Sequence, residues 1–339
     1  MPLPCYVLPE RSPSSSPQRG RLSLIDALLL LMTLIWGTNY SIVKRAFVEI
    51  DPQAFNALRM VIASMVFLAI IVVIRTLRRG VVNQPDGESH AVASIWHTPA
   101  PITRADWIGF AALGVIGHAG YQYLFIGGLA LTTVANSSLL LAATPVVIAI
   151  ISAIRGEERI APLHWAGAAL SLAGIYIVVG HGMSLGAGSL RGDAMMLAAV
   201  FCWAIYTLGA RHLMTRHSPV GVTGLSMAIG ASLYVPLVWG HVASTNWVRL
   251  SMVTWIAIVY SSLFALCVAY TIWYVAVRQI GSARTSVYSN LIPIVAMLTA
   301  VLFLGEHFTF ARVAGATAVL VGVALTRVGK TSVLIPAED

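Results

Sequence analysis

Ten apolar runs follow one another along the chain, at about 24–43, 54–74, 106–128, 132–154, 163–180, 193–213, 220–239, 252–276, 284–304 and 310–328. A helix needs about 20 such residues to cross the hydrocarbon core of a bilayer. The runs therefore predict an all-α membrane protein with ten transmembrane helices. Composition agrees. Of 339 residues, 58% are hydrophobic and only 10% charged, whereas a soluble domain carries about 25% charged residues. Too little charge remains to coat a water-facing surface. That excludes a soluble enzyme, a nucleic-acid-binding module and a disordered chain. The three cysteines, Cys5, Cys202 and Cys267, are widely spaced and make neither a disulfide framework nor a metal-binding set. No metal and no cofactor is expected.

Residues 1–22, rich in Pro, Ser and Arg, read as a disordered tail, and 330–339 as a second one. The polar stretch Leu77–Arg104 reads as a solvent-exposed loop, a tolerated insertion. The first apolar run is too long for the core of a signal peptide and has no small-residue cleavage site after it, so it counts as a span. When the loops are assigned alternately to two sides, fifteen of the 21 Lys and Arg fall on the side of the amino terminus. Five (Lys44, Arg45, Arg191, Arg249 and Arg312) fall on the other, and Arg59 lies within a span. Basic loops stay in the cytoplasm. Both termini are therefore predicted to be cytoplasmic, in a cell inner membrane.

The two halves repeat. Trp107, Pro145, Glu158, Gly167 and Gly174 each match a residue 148 positions later: Trp255, Pro293, Glu306, Gly315 and Gly322. Asp26, Trp36 and Pro52 match Asp193, Trp203 and Pro219, 167 positions later. The loop 77–104 accounts for the change of offset. The repeats are predicted to be 23–182 and 190–329. Each holds five spans, an odd number, so the second enters the membrane in the opposite sense. That inverted architecture is common in secondary transporters, whose alternating access rocks one half against the other.

At Trp36-Gly37, Ala57-Leu58-Arg59, the Pro145 and Pro293 spans, and Leu304-Gly305-Glu306 followed by Gly315 and Gly322, the sequence resembles the drug/metabolite transporter superfamily. In particular it resembles an EamA-type permease with two repeated units. The resemblance spans about 24–328 and departs at Ala204, which stands where Gly37 stands in the first half. It implies export of amino acids and related metabolites, or of toxic organic compounds.

Candidate substrate-binding residues follow from helix faces. In the first span, Trp36, Asn39 and Tyr40 stand at i, i+3 and i+4 and share a face. Trp203, Tyr206 and Thr207 form its counterpart in the sixth. Polar groups facing lipid are costly, so both faces should turn inward onto a central cavity. The alternative is an interfacial belt of Trp and Tyr. The third span offers His118 and Gln122, the eighth Tyr270 and Tyr274, with Trp273 one residue off the latter pair's face. Gln and His need hydrogen-bond partners when buried, from substrate or from another helix. Asn136, Ser137, Ser138 and Thr144 precede Pro145, while Ser286, Tyr288, Ser289 and Asn290 precede Pro293. A proline within a span removes one helical hydrogen bond, so Pro145 and Pro293 are expected as paired kinks, either hinging at the cavity or shaping static packing. Arg59 is expected to snorkel to the surface or to make a structural ion pair, with a substrate carboxylate as the alternative. Gly114, Gly117, Gly120, Gly167 and Gly174 are assigned to helix packing, and Glu158 and Glu306 to helix ends.

All 13 acidic residues lie in tails, loops or span ends. No mid-span carboxylate is available for the proton-and-cation chemistry of a small multidrug exporter, and no mid-span Lys for a phosphate-bearing substrate. The reading is a permease that exports small neutral or zwitterionic metabolites, amino acids or aromatic relatives, with no nucleic acid as partner. The rivals are a broad drug efflux permease and a membrane-bound enzyme or sensor. For the last, His212 and His217 beside Arg211 and Arg216 are the nearest thing to a cluster. With His118 as the one mid-span group whose ordinary pKa lies near neutrality, the protein is expected to work as a facilitator.

Overall fold

The computed structural model describes residues 24–79, 95–96, 101–154, 158–159, 162–181, 187–289, 291–306, 310–328 and 332–333. The first expected tail, all of the second but Ser332 and Val333, most of the loop 77–104 and Asn290 lie outside these residues. Helices occupy the apolar stretches in order, and the protein is a multi-pass, all-α membrane protein. The first two spans are single helices, Leu24–Ala46 and Pro52–Arg79. The third begins at Arg104–Leu113, widens into a π-helical turn over Gly114–Gly120 and continues as Tyr121–Leu131. Its start is fixed by a capping box, in which Thr103 Oγ1 accepts from Asp106 N and the Asp106 carboxylate accepts from Thr103 N.

The fourth span is broken into Val134–Leu141 and Thr144–Ile154, and the fifth is Pro162–His181. In the second half, Ala187–Leu213 and Pro219–Leu237 are the sixth and seventh spans. The eighth starts at Met252–Tyr260 and widens into a π turn over Ser261–Val268. Helix Ala269–Ser289 follows, then Ile292–Leu304 and the last span, Phe310–Val328. The two-residue strands Glu158–Arg159 and Ser332–Val333 pair antiparallel.

Three boundaries differ from the sequence reading. The linker expected between the eighth and ninth runs is helical, within Ala269–Ser289. Arg278, Gln279 and Ala283 favour helix, and Gly281 alone does not end it. The sixth helix starts at Ala187, so Asp193 lies inside it rather than opening it. The prolines do not kink continuous helices. Thr144–Ile154 and Ile292–Leu304 are new helices with Pro145 and Pro293 in their first turn, where a missing N–H forgoes no helical bond.

The repeat is visible in these interruptions. An offset of 148 carries the π turn Gly114–Gly120 onto 262–268, within the π turn of the eighth span. The same offset carries Ala143, in the break of the fourth span, onto Leu291, directly before the helix that starts at Ile292. The halves also run in opposite senses. Lys44, near the end of the first span, donates to the carbonyls of Leu129, Ala130 and Thr132 at 2.7–2.9 Å. Thr132 Oγ1 in turn donates to Asp193 at 2.6 Å. Trp36, earlier in the first span, meets Trp203, later in the sixth. The first span thus ascends as the sixth descends.

Glycines set the closest helix contacts. A Cβ on Gly174 would lie 2.6 Å from Val319 N and 2.7 Å from Gly315 O. One on Gly322 would lie 2.6 Å from Gly167 O. Gly174 therefore faces Gly315, and Gly322 faces Gly167: repeat-equivalent residues exchange partners between the fifth and tenth spans. A Cβ on Gly37 would lie 2.5 Å from Val295 Cγ1 of the ninth span.

Candidate functional site

A cavity lies between the halves. It has about 860 Å³ of unfilled space, counting the part open to solvent. From the first span its wall takes Trp36, Asn39 and Tyr40, as their shared face requires. From the third it takes Tyr121, Gln122 and Phe125, and from the sixth Trp203. The eighth contributes Ala265, Leu266, Tyr270 and Trp273. The broken spans supply Ser138, Leu141, Ala142 and Thr144 from one half and Ser289, Ile292 and Pro293 from the other. Both interruptions thus border the cavity, where a broken helix gives backbone carbonyls access to a ligand.

Seven of the twenty lining residues are aromatic. Trp36 is at their centre, with ring centroids 6.1 Å from Trp203, 5.7 Å from Tyr270 and 5.7 Å from Trp273. Trp36 Nε1 donates to Ala265 O at 2.9 Å. That carbonyl belongs to the π turn of the eighth span, where the wider turn exposes carbonyls to outside donors. Trp203 packs on Tyr270 at 5.4 Å and on Tyr121 at 5.1 Å. Tyr40 meets Phe125 edge to face at 5.5 Å. Each edge-to-face pair adds roughly 0.5–1.5 kcal/mol beyond burial, so the rings form a stiff box. Trp273, expected off the Tyr270–Tyr274 face, belongs to the box. It stands at i+3 from Tyr270, which is as much a face neighbour as i+4.

Other candidates lie outside the wall. His118 is fully buried, its Nε2 3.1 Å from Tyr206 Oη and its ring 4.9 Å from that of Tyr206. Tyr206 and Tyr274 pack edge to face at 5.9 Å in the same layer. Asn136 Nδ2 donates to both Asp193 oxygens at 3.4 Å. Tyr288 Oη donates to Asp26 Oδ1 at 2.7 Å. The side chain of Pro145 and the whole of Asn290 fall outside the described residues. Of the histidine–arginine pair considered for a catalytic cluster, Arg216 Nη1 and His217 Nε2 each lie 3.2 Å from an Asp106 oxygen. That group ties the start of the third span to the loop after the sixth.

Arg59 is the residue the sequence reading placed wrongly. It lines the cavity and is only 1% exposed, so it does not snorkel. Its Nε donates to Asn56 Oδ1 at 2.9 Å, Nη1 to Ser261 Oγ at 2.8 Å and Nη2 to Gln122 Oε1 at 2.6 Å. Its Cζ lies 6.0 Å from the Phe55 ring centroid. All three acceptors are neutral, and among the described residues no carboxylate pairs with it. An Arg in a span costs about 2.5–3.5 kcal/mol on insertion scales. The helical spacing of Asn56 and Arg59 was legible. Gln122 and Ser261 are 63 and 202 residues away and were not.

Polar ties gather around the turn at Thr132 and Thr133, between the third and fourth spans. Besides the bonds donated by Lys44 and accepted by Asp193, Glu306 accepts from Val134 N at 2.9 Å and Ala135 N at 3.4 Å. Glu306 therefore caps the fourth span. Gly305, left-handed with φ 66°, turns the chain to put it there.

The pattern of the EamA-like transporter family matches residues 23–86, 89–180 and 190–328. The chain belongs to the EamA-like transporter family. As an EamA-like protein it is a membrane transporter and not an enzyme. It is 27% identical over 304 residues to an uncharacterized transporter of Archaeoglobus fulgidus, covering 88% of this chain and 96% of that one. It is 23% identical over 306 residues to a probable amino-acid metabolite efflux pump of Escherichia coli (strain K12), covering 87% and 92%. A crystal structure of a protein 21% identical superposes with a TM-score of 0.60 over 90% of this chain and 97% of that one. At that identity the likeness is one of fold. The EamA-like assignment places the cavity, with its Trp36 box and Arg59, inside a transporter.

Proposed function

We propose that the protein exports small neutral or zwitterionic metabolites, amino acids or their aromatic relatives, from the cytoplasm. The observation that carries this reading is that repeat-equivalent residues, Trp36 with Trp203 and Gln122 with Tyr270, stand on one cavity wall. A site shared by two inverted halves suits alternating access, in which each half takes the other's role. The aromatic faces suit a flat or apolar body, and Arg59, Asn39 and Gln122 suit a polar head. The similarity to a probable amino-acid metabolite efflux pump supports the same class. In this reading the repeats are 23–182 and 190–329, the membrane is the inner one, and both termini are cytoplasmic.

The test is untargeted measurement of metabolites in medium and cells, with and without expression, followed by counterflow of the enriched compounds in proteoliposomes. Enrichment of a few amino-acid-like compounds in the medium, each moved unchanged by purified protein, is the expected result. A broad, flat profile across unrelated toxic compounds would favour drug efflux instead.

A further inference from the structure

Arg59 joins three spans through neutral acceptors and still faces the cavity. A guanidinium has five N–H donors, and these bonds use three. The remaining two and the full positive charge have no carboxylate to meet among the described residues. A buried charge left without its counter-charge is expensive unless something completes the pair. A second polar atom is in the same position. Asn39 Oδ1, on the same wall, is buried and has no hydrogen-bond partner among the described residues. The aromatic box around Trp36 lines the same cavity.

We propose that Arg59 is the residue that recognises a carboxylate on the transported molecule. The substrate class is then the zwitterionic part of the proposed range, an amino acid whose carboxylate sits on an aromatic or apolar body. Planar Arg takes a carboxylate through two parallel N–H···O bonds. Gln122, Asn56 and Ser261 act as positioning residues, because each holds one nitrogen of the fork. Asn39 Oδ1 is left to accept from an N–H of the substrate, and the box covers its body. An amide or ester of the same body keeps the shape and loses the charge that Arg59 reads. The inference rests on the transport reading of the cavity and adds its selectivity.

The experiment is counterflow of labelled L-phenylalanine in proteoliposomes of the full chain. The competitors are unlabelled L-phenylalanine, L-phenylalaninamide, 3-phenylpropionate and 3-phenylpropionamide. Both acids should compete at least about tenfold better than their amides, the loss expected when a hydrogen bond to a charged group is removed. Arg59→Gln should lower counterflow and remove the preference for acids, while Arg59→Lys, a point charge without the fork, should keep part of it. Amides that compete as well as acids against wild-type protein overturn the proposal and leave the transport reading standing. So does a folded Arg59→Gln variant that still prefers acids. Absence of any phenylalanine counterflow overturns both. The wild-type competition decides the matter even if the Arg59 variants do not fold.

Discussion

Trp36 and Trp203, which the 167-residue offset equates, meet edge to face with ring centroids 6.1 Å apart. Each comes from a span running opposite to the other, so the contact lies on the pseudo-two-fold relation between the halves. A substrate resting on these rings touches both repeats at once. Any rocking of one half against the other must then pass through it.

The packing of the fifth and tenth spans rests on glycines that face backbone. Gly174→Leu should destabilise the protein by about 1–3 kcal/mol, the usual cost of overpacking. The melting temperature in detergent reads this. Gly240→Ala serves as the comparison, since nothing lies within 4 Å of a Cβ there, and it should leave the melting temperature unchanged.

Lys44 and Glu306 tie the first span and the end of the ninth to the turn between the third and fourth. Lys44→Met removes the donor to three carbonyls, and should cost about 1–3 kcal/mol if they stay buried. Glu306→Ala uncaps the fourth span and should cost about 1 kcal/mol. Heat resistance measured by size-exclusion chromatography should fall in that order. Equal resistance in both variants and wild type would mean that these ties do not contribute to stability.

The charge bias predicts orientation. A reporter active only in the cytoplasm should work at the carboxy terminus and be silent after His181 or His241. The reverse pattern would invert the assignment of sides and with it the direction proposed for export.

The driving force can be separated from binding. His118 is fully buried against Tyr206 and stands outside the cavity wall. Among the described residues no carboxylate lines the cavity. Net flux in liposomes should therefore follow the substrate gradient and ignore an imposed pH gradient. Accumulation against the substrate gradient driven by an imposed pH gradient contradicts this, and its survival in His118→Gln would exclude His118 as the coupling group.

Much of the architecture could be read from the sequence because bilayer thickness sets span length, and the offsets of 148 and 167 set the repeat. The face of Trp36, Asn39 and Tyr40 was equally legible, since it lies within one regular helix. What spacing could not show depended on contacts distant in sequence or on local departures from the helix. Arg59 finds Ser261 only through the fold. Asp193 reads as the start of a span until Thr132 and Asn136 are seen around it. The breaks before Thr144 and Ile292 turn apparent kinks into helix starts. Trp273 was set aside by counting i+4 from Tyr270 and passing over i+3.

The central claim is that the cavity between the halves is where substrate binds and moves. Counterflow in proteoliposomes tests it most directly, comparing Trp36→Ala and Trp203→Ala with Trp165→Ala, whose ring is 47% exposed on the fifth span. Removing either central ring deletes several pair contacts of roughly 0.5–1.5 kcal/mol each. At equal amounts of folded protein, both variants should lose about tenfold or more of the flux, and Trp165→Ala should match wild type. Equal flux in all three would contradict the account.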